Sequence, residues 1–435
     1  MNIVAIVGRP NVGKSTLFNR LIGERMAITD DVSGVTRDRI YNTTDWNGKP
    51  FTVIDTGGFV KDSNDVFEIA IKRQVEIAID EADVIVFMVD VLTGITDFDE
   101  NISRMLRKTK KNVILVVNKV DNFERMISAN EFWSLGFEET YFVSSVNGSG
   151  TGEMLDAITE KLPENVEEEI NPEIPKIAIV GQPNVGKSSL INALLEDDRN
   201  IVTDIAGTTR DNIHTKYNKF GNEFLLIDTA GIRKKNKVHE DLEFYSVMRA
   251  VKAIDDSDIC LLLIDAQMGI EAQDMSIIDL VVKRRKGLII LVNKWDLIQK
   301  ETNTAKEIEE KILKKIAPFT DVPIIFISVL EKQRIFKAVE EAKAVFDRRR
   351  QKIKTSVLNE FLLEAIEKVP PPSHRGKFIK IKYVTQIEKG YPAFAFFCNY
   401  PKHIKTSYKN YIQNQLRKQF DFKGVPISVF FKEKS

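Results

Sequence analysis

At 435 residues, 43% hydrophobic and 29% charged, the chain is long enough for roughly two to four domains and has the composition of an ordinary globular protein. No run reaches the ~18 uninterrupted apolar residues of a membrane span, and the N-terminus enters a strand directly, so neither a membrane helix nor a secretory leader is expected. Lys+Arg and Asp+Glu balance at 63 each, yet residues 352–435 hold 16 basic against 6 acidic side chains, a net of +10 that leaves −10 for residues 1–351. The two cysteines, Cys260 and Cys398, are too few for a disulfide framework or a metal knuckle and lie in apolar runs, so both read as core residues of a protein in a reducing cytoplasm.

The chain opens with an apolar run, Ile3 to Val7, followed by Gly8, Arg9, Pro10, Asn11, Val12, Gly13, Lys14 and Ser15 and then a helical pattern. Strand, glycine-bounded loop and helix in that order form a phosphate cradle. The glycines let backbone N–H groups turn inward, the helix N-terminus is positive, and the lysine adds a mobile charge. The same loop recurs 173 residues later, after Ile177 to Val180, as Gly181, Gln182, Pro183, Asn184, Val185, Gly186, Lys187 and Ser188. Two copies in register argue against chance surface turns.

The repetition continues. Gly34-Val35-Thr36-Arg37-Asp38 maps onto Gly207-Thr208-Thr209-Arg210-Asp211, and Asp55-Thr56-Gly57-Gly58 onto Asp228-Thr229-Ala230-Gly231, at the same offset. Asn118-Lys119-Val120-Asp121 maps onto Asn293-Lys294-Trp295-Asp296 at an offset of 175, so two residues are inserted between motifs. Apolar runs at Val84 to Val89, Val113 to Val117, Ile259 to Ile264 and Leu288 to Val292 alternate with helical stretches, which predicts parallel sheets covered on both faces.

Between the units, residues 163–175 contain three prolines and five glutamates and read as an exposed, self-repelling linker. A second boundary is expected at Arg348-Arg349-Arg350, after a helix from Lys332 to Asp347. The tail then reads helix (Ser356 to Lys368), Pro370-Pro371-Pro372, strand (Phe378 to Thr385), strand (Ala393 to Asn399), helix (Ser407 to Phe420) and strand (Ile427 to Lys432), a small α+β domain. The expected domains are therefore 1–162, 163–175 as linker, 176–350 and 351–435.

Each Asn-Lys-x-Asp follows a buried strand, at the end where open α/β sheets bind ligands. Asp121 and Asp296 can accept both guanine N1–H and its 2-amino group, a donor pair that adenine lacks. Ser15 and Ser188, Asp55 and Asp228, and Thr36 and Thr209 supply hard oxygens for Mg²⁺, while Gly58 and Gly231 offer a backbone N–H to the γ-phosphate. Thr36 and Thr209 sit in segments that should close on triphosphate and open on its loss. The chemistry expected is GTP hydrolysis to GDP, with Lys14, Thr36, Gly58, Lys187, Thr209 and Gly231 at the reacting phosphates.

On these motifs the chain resembles the Der (EngA) family of bacterial GTPases: two tandem Ras-like P-loop GTPase domains, α/β in class, followed by a small α+β KH-like domain. Also similar to that family are Asp228 to Lys235, Phe244 to Arg249, Ile381 to Gln386 and Ser407 to Tyr411. The resemblance implies a role in assembly of the large ribosomal subunit, with that subunit and its rRNA as partners. It also implies potassium-stimulated hydrolysis, in which Asn11 and Asn184 help seat K⁺, although an asparagine there also shapes the turn. A cytoplasmic monomer without membrane association is expected. A tRNA-modification GTPase shares the loop but has one GTPase unit and a C-terminal cysteine motif, whereas this chain ends Phe430-Phe431-Lys432-Glu433-Lys434-Ser435. An RNA-binding module in which one site does not turn over is the other alternative.

Three departures matter. Where Ras-like enzymes place a water-orienting glutamine, this chain has Phe59 and Ile232, neither of which can hydrogen-bond water. After the guanine motif the first unit has Ser144-Ser145-Val146-Asn147-Gly148-Ser149-Gly150, but the second has Ser328-Val329-Leu330-Glu331-Lys332, so weaker binding is expected there. The tail lacks the Gly-x-x-Gly clamp of KH domains, since Gly376, Gly390 and Gly424 stand alone, so docking against structured RNA or against the neighbouring GTPase domain is expected rather than sequence-specific single-strand binding. Lysines and aromatics nonetheless alternate from Lys377 to Tyr383, a pattern that suits nucleic acid as well as a solvated strand face. Arg233-Lys234-Lys235-Asn236-Lys237 adds a basic segment in the second unit, expected to change its meeting with the tail as nucleotide state changes.

Overall fold

A computed structural model describes residues 2–23, 41–56, 72, 75–76, 78–163, 173–196, 204–206, 213–219, 222–227, 243–299, 301–373 and 378–433. Most of the linker, the segments holding Thr36 and Thr209, Gly57 to Phe59, Asp228 to Ile232, and the basic segment at 233–237 lie outside these residues. The chain forms two compact bodies, one built on the first sheet and one holding the second and third sheets.

In the first body, strands β1 (Asn2–Val7), β2 (Tyr41–Trp46), β3 (Lys49–Asp55), β4 (Val84–Asp90), β5 (Asn112–Asn118) and β6 (Thr140–Phe142) form one sheet in the order β2-β3-β1-β4-β5-β6. All neighbours are parallel except the β2–β3 hairpin. The middle strands are apolar because both faces are covered, and every residue of β4 is buried. Strand order reverses between β1 and β4, which opens the crevice where the first phosphate loop sits. The antiparallel hairpin is an element that the apolar-run reading does not identify. Its β2 strand, Tyr41-Asn42-Thr43-Thr44-Asp45-Trp46, is half polar at an edge and carries no long apolar signal.

The second body repeats this plan with β7 (Lys176–Gly181), β8 (Asp204–Ala206), β9 (Ile213–Lys219), β10 (Asn222–Leu226), β11 (Ile259–Asp265), β12 (Gly287–Asn293) and β13 (Ile324–Phe326), ordered β13-β12-β11-β7-β10-β9-β8. The helix closing this unit runs Ile335–Arg350, three residues beyond Asp347. Its final arginines are engaged rather than solvated: Arg349 pairs with Asp258 at 2.9 Å, and Arg348 bridges Glu341 at 2.8 Å and Asp421 at 2.7 Å.

The tail has the expected αββαβ order: helix Thr355–Lys368, β14 (Ile381–Ile387), β15 (Ala393–Cys398), helix Thr406–Gln419 and β16 (Ser428–Glu433). Both helices pack on one sheet face, around Val384, Phe394, Phe396 and Val429. The solitary Gly424 makes the joint with the second sheet. Its N–H donates to the Asp321 carbonyl at 2.7 Å, and its carbonyl accepts from Leu288 N–H at 2.8 Å. With φ at +80° and an added Cβ only 2.9 Å from Val345 Cγ2, no other residue fits without displacement. Val425 enters the core of the second unit, and Arg417 reaches Asp321 at 3.0 Å with its guanidinium 5.0 Å from the Phe319 ring centroid. This joint lies at the start of β12, whereas Asn293 and the guanine motif lie at its end. The tail is thus seated on the opposite end of the second sheet from its nucleotide loop.

Candidate functional site

Each phosphate loop turns sharply out of its central strand, and glycine is required by contact as well as by dihedral angle. Gly13 has φ of +102°, and a Cβ there would lie 2.3 Å from Asn118 Nδ2; Gly186 has φ of +103° and would meet Asn293 Nδ2 at 2.4 Å. Asn11 and Asn184 are left-handed at φ 65° and 63°, a conformation asparagine tolerates better than most residues.

The loop lysines are held in place by their own loops. Lys14 Nζ donates to the carbonyls of Gly8 and Arg9, both at 2.8 Å, and Lys187 Nζ to those of Gly181 at 3.0 Å and Gln182 at 2.6 Å. Burial pushes the Lys14 ammonium down to about 8, opposed by the Asp55 carboxylate and reinforced by Arg9. Phosphate charge in the cradle would favour the ammonium form and oppose that shift. Ser15 Oγ donates to Asp55 Oδ2 at 2.5 Å, which brings two hard oxygen donors together beside the loop. This set fits Mg²⁺, which accepts one or two protein oxygens and completes its shell with phosphate and water. Val12, Pro10, Pro183 and Val185 shape the loops, and Thr56 anchors the end of β3 by donating to the Ile6 carbonyl at 2.8 Å. The partners expected of these groups at Thr36, Thr209, Gly57, Gly58, Phe59, Asp228, Thr229, Ala230, Gly231 and Ile232 fall outside the described residues.

At the guanine end, the motif divides its labour. Asn118 staples two loops: its amide donates to Val12 O at 2.7 Å, and its Oδ1 accepts from Ser145 N–H and Ser145 Oγ, both at 2.9 Å. Asn293 does the same with Val185 O at 2.8 Å and Val329 N–H at 3.1 Å. The second ring loop therefore keeps its backbone arrangement without the glycine pair, and loses one hydroxyl contact. Asp121 and Asp296 follow at the strand ends, Asp121 exposed and paired with Arg125 at 2.5 Å. Val120 and Trp295, inside the two motifs, are buried.

Two pairs of polar ties escape a reading based on motifs alone. Lys119 Nζ pairs with Asp90 Oδ2 at 2.5 Å, and Lys294 Nζ with Asp265 Oδ2 at 2.6 Å, although both lysines sit at φ above +60°. Arg9 Nε pairs with the fully buried Asp99 at 3.1 Å, and Gln182 Nε2 donates to Asp274 at 2.9 Å. Asp99 and Asp274 also close capping boxes on helices Asp97–Arg107 and Ala272–Lys283. The signal was present: Asp90-Val91-Leu92-Thr93-Gly94 and Asp265-Ala266-Gln267-Met268-Gly269 repeat at the same 175-residue offset as the guanine motif, as do Asp99 and Asp274. Burial raises the Asp274 carboxyl above the usual range, opposed by the Glu271 N–H and the Gln182 amide.

Comparison with known proteins agrees with this geometry. A family model described as "50S ribosome-binding GTPase" matches residues 3–119 and 176–294, and one described as "KH-domain-like of EngA bacterial GTPase enzymes, C-terminal" matches residues 352–432. The chain is 59% identical over 433 residues to "GTPase Der" of Christiangramia forsetii, covering 100% of both chains. It is 58% identical to "GTPase Der" of Flavobacterium johnsoniae, covering 100% of this chain and 99% of that one. A third relative, "GTPase Der" of Phocaeicola vulgatus, is 53% identical over 100% of both. The chain belongs to the GTPase Der family, a guanine-nucleotide-binding GTPase with two tandem P-loop domains and a C-terminal KH-like domain.

Proposed function

We propose that this GTPase acts in assembly of the large (50S) ribosomal subunit, with nucleotide state governing its association with rRNA. The description of the matching GTPase model as ribosome-binding supports the partner. The observation that carries the chemistry is the mirrored cradle, in which Lys14 and Lys187 are both pre-set on loop carbonyls and Asn118 and Asn293 both clamp loop to guanine pocket. In this reading Lys14 and Lys187 hold the outer phosphates, while loop N–H groups and those of Gly58 and Gly231 surround the γ-phosphate. Asp121 and Asp296 read guanine.

Ser15, Thr36 and Asp55 in one site and Ser188, Thr209 and Asp228 in the other would hold Mg²⁺, which would supply charge to neutralise the developing phosphate charge. With Phe59 and Ile232 in the glutamine position, the attacking water is not oriented by a side-chain amide there. K⁺ held through Asn11 and Asn184 would supply the positive charge that an arginine finger otherwise brings, so GTP turnover should be several-fold faster in K⁺ than in Na⁺ at matched ionic strength. Equal rates would remove K⁺ from the reading.

The tail's seat at the far end of the second sheet favours transmission of nucleotide state through a movement of the second GTPase domain and tail together. We read the protein as a cytoplasmic monomer; among the described residues no helix is long and apolar enough to cross a membrane. Co-sedimentation with ribosomal particles in GTP, GDP and nucleotide-free states tests the whole reading. Large-subunit binding that changes with nucleotide is the expected result, and binding that is equal in all three states contradicts it.

A further inference from the structure

Among the described residues both tail helices pack on one face of the tail sheet, and its other face gathers aromatics and lysines in an order imposed by a local irregularity. Ile379 is buried and Ile381 packs on the tail core, so Phe378, Lys380 and Lys382 between them face outward. The β14–β15 register then slips between Ile381 and Tyr383, where Lys382 is the extra residue. A bulge re-aims the side chains that follow it. Here it lets Lys382 and Tyr383 follow each other on the outer face while Val384 returns to the core. Tyr383 stacks on Phe397 across the strands, with ring centroids 4.5 Å apart and planes at 16°, and Lys432 is the next cross-strand neighbour of Phe397.

Phe378 is 76% exposed. Its backbone is braced: Asn399 Nδ2 donates to the Phe378 carbonyl at 3.0 Å and its Oδ1 accepts from Lys380 N–H at 2.9 Å. The side chain of Asn399 thus stands in for a ladder strand, which explains why β14 begins at Ile381 rather than Phe378.

We propose that this open sheet face, centred on Phe378, Lys380, Lys382, Tyr383 and Lys432, is a binding platform for unpaired RNA. The inference rests on the RNA partner of the proposed function and assigns the surface that takes it. The exposed Phe378 and the part-buried Tyr383–Phe397 stack, set among lysines, match successive bases and phosphates, and the +10 charge of residues 352–435 complements the polyanion. The face replaces the Gly-x-x-Gly clamp that this tail lacks.

The test measures binding of full-length protein to a fluorescent twelve-nucleotide single-stranded oligouridine and to a duplex RNA of equal length. Wild type should prefer the single strand. Phe378→Ala and Tyr383→Ala should each weaken it by about tenfold or more, whereas Tyr383→Phe, which keeps the stacking ring, should bind like wild type. Lys380→Ser with Lys382→Ser should flatten the dependence of log affinity on log salt by about 1 to 1.5. GTP turnover should be unchanged in all variants, reporting an intact fold. Undiminished oligonucleotide binding in the alanine variants overturns the platform, as does preference for the duplex or for neither RNA. Large-subunit co-sedimentation run in parallel separates the two ideas: if wild type co-sediments normally while the platform variants bind RNA like wild type, only the platform fails; if wild type does not co-sediment, the ribosomal reading fails.

Discussion

The first phosphate loop is tied to its neighbouring helix by a guanidinium and the second by a neutral amide. Arg9 meets Asp99 as an ion pair, while Gln182 meets Asp274 without neutralising its charge. In both carboxyls the second oxygen, Oδ1, is buried without a hydrogen-bond partner among the described residues. The backbone cradles are otherwise near copies, down to φ values one degree apart at Gly13 and Gly186. The two loops therefore keep the same backbone and lysine geometry, while the side chains behind them differ. Unequal behaviour of the two sites should be sought in those side chains.

The largest expected effect checks that both cradles work. Lys14→Ala and Lys187→Ala should each lower single-turnover GTP hydrolysis at their own site by about 10²–10³-fold and leave the other site near its wild-type rate. A double loss from one substitution would show that the sites are not separable. Next come the staples. Asn118→Ala strands the Val12 carbonyl and two groups of Ser145, whereas Asn293→Ala strands only the Val185 carbonyl and Val329 N–H. At about 1–3 kcal/mol for a stranded buried group, chemical denaturation should show the larger stability loss in Asn118→Ala.

The supporting carboxylates sharpen the comparison further. Asp99→Asn removes the charge partner of Arg9 and should cost about 1–3 kcal/mol. Asp274→Asn should be neutral or mildly stabilising at pH 7, because the amide can still accept from Gln182 and no longer carries a poorly compensated charge. The sign follows from the raised folded pKa. The folded state holds the Asp274 proton more tightly than the unfolded chain, so this group's contribution falls as pH rises from 3.8 through the folded value. Asp274→Asn should abolish that segment of the stability profile; an unchanged profile would place the charge elsewhere. The smallest effect concerns Cys260, which pairs in β11 where the first sheet has Ile85. Burial pushes its thiol up to about 11, so iodoacetamide should label it only on unfolding.

Much of this arrangement was legible from residues alone because its signals are local and repeated. Phosphate loops, guanine motifs and buried parallel strands each combine a distinctive spelling with an apolar run, and the tail's element order follows from periodicity. The β2–β3 hairpin was not legible, since a half-polar edge strand shows no long apolar run. The ties of Asp90, Asp99, Asp265 and Asp274 were hidden because a lone aspartate is an ordinary surface residue until the fold brings it to a lysine, arginine or amide. Gly424 reads as a failed clamp in sequence and proves to be a tight joint, because close packing against Val345 and Leu288 depends on residues far away in the chain. The platform of the tail face needed the bulge at Lys382, a one-residue slip that alternation of residue types does not reveal.

We expect two guanine sites in one chain, built alike and supported differently. Equilibrium titration of full-length protein with fluorescent GTP and ATP analogues tests it most directly. Wild-type protein should bind two guanine nucleotides per chain with distinguishable affinities, Lys14→Ala and Lys187→Ala one each, and the adenine analogue negligibly. A single guanine site in wild type, or adenine bound as tightly as guanine, would contradict it.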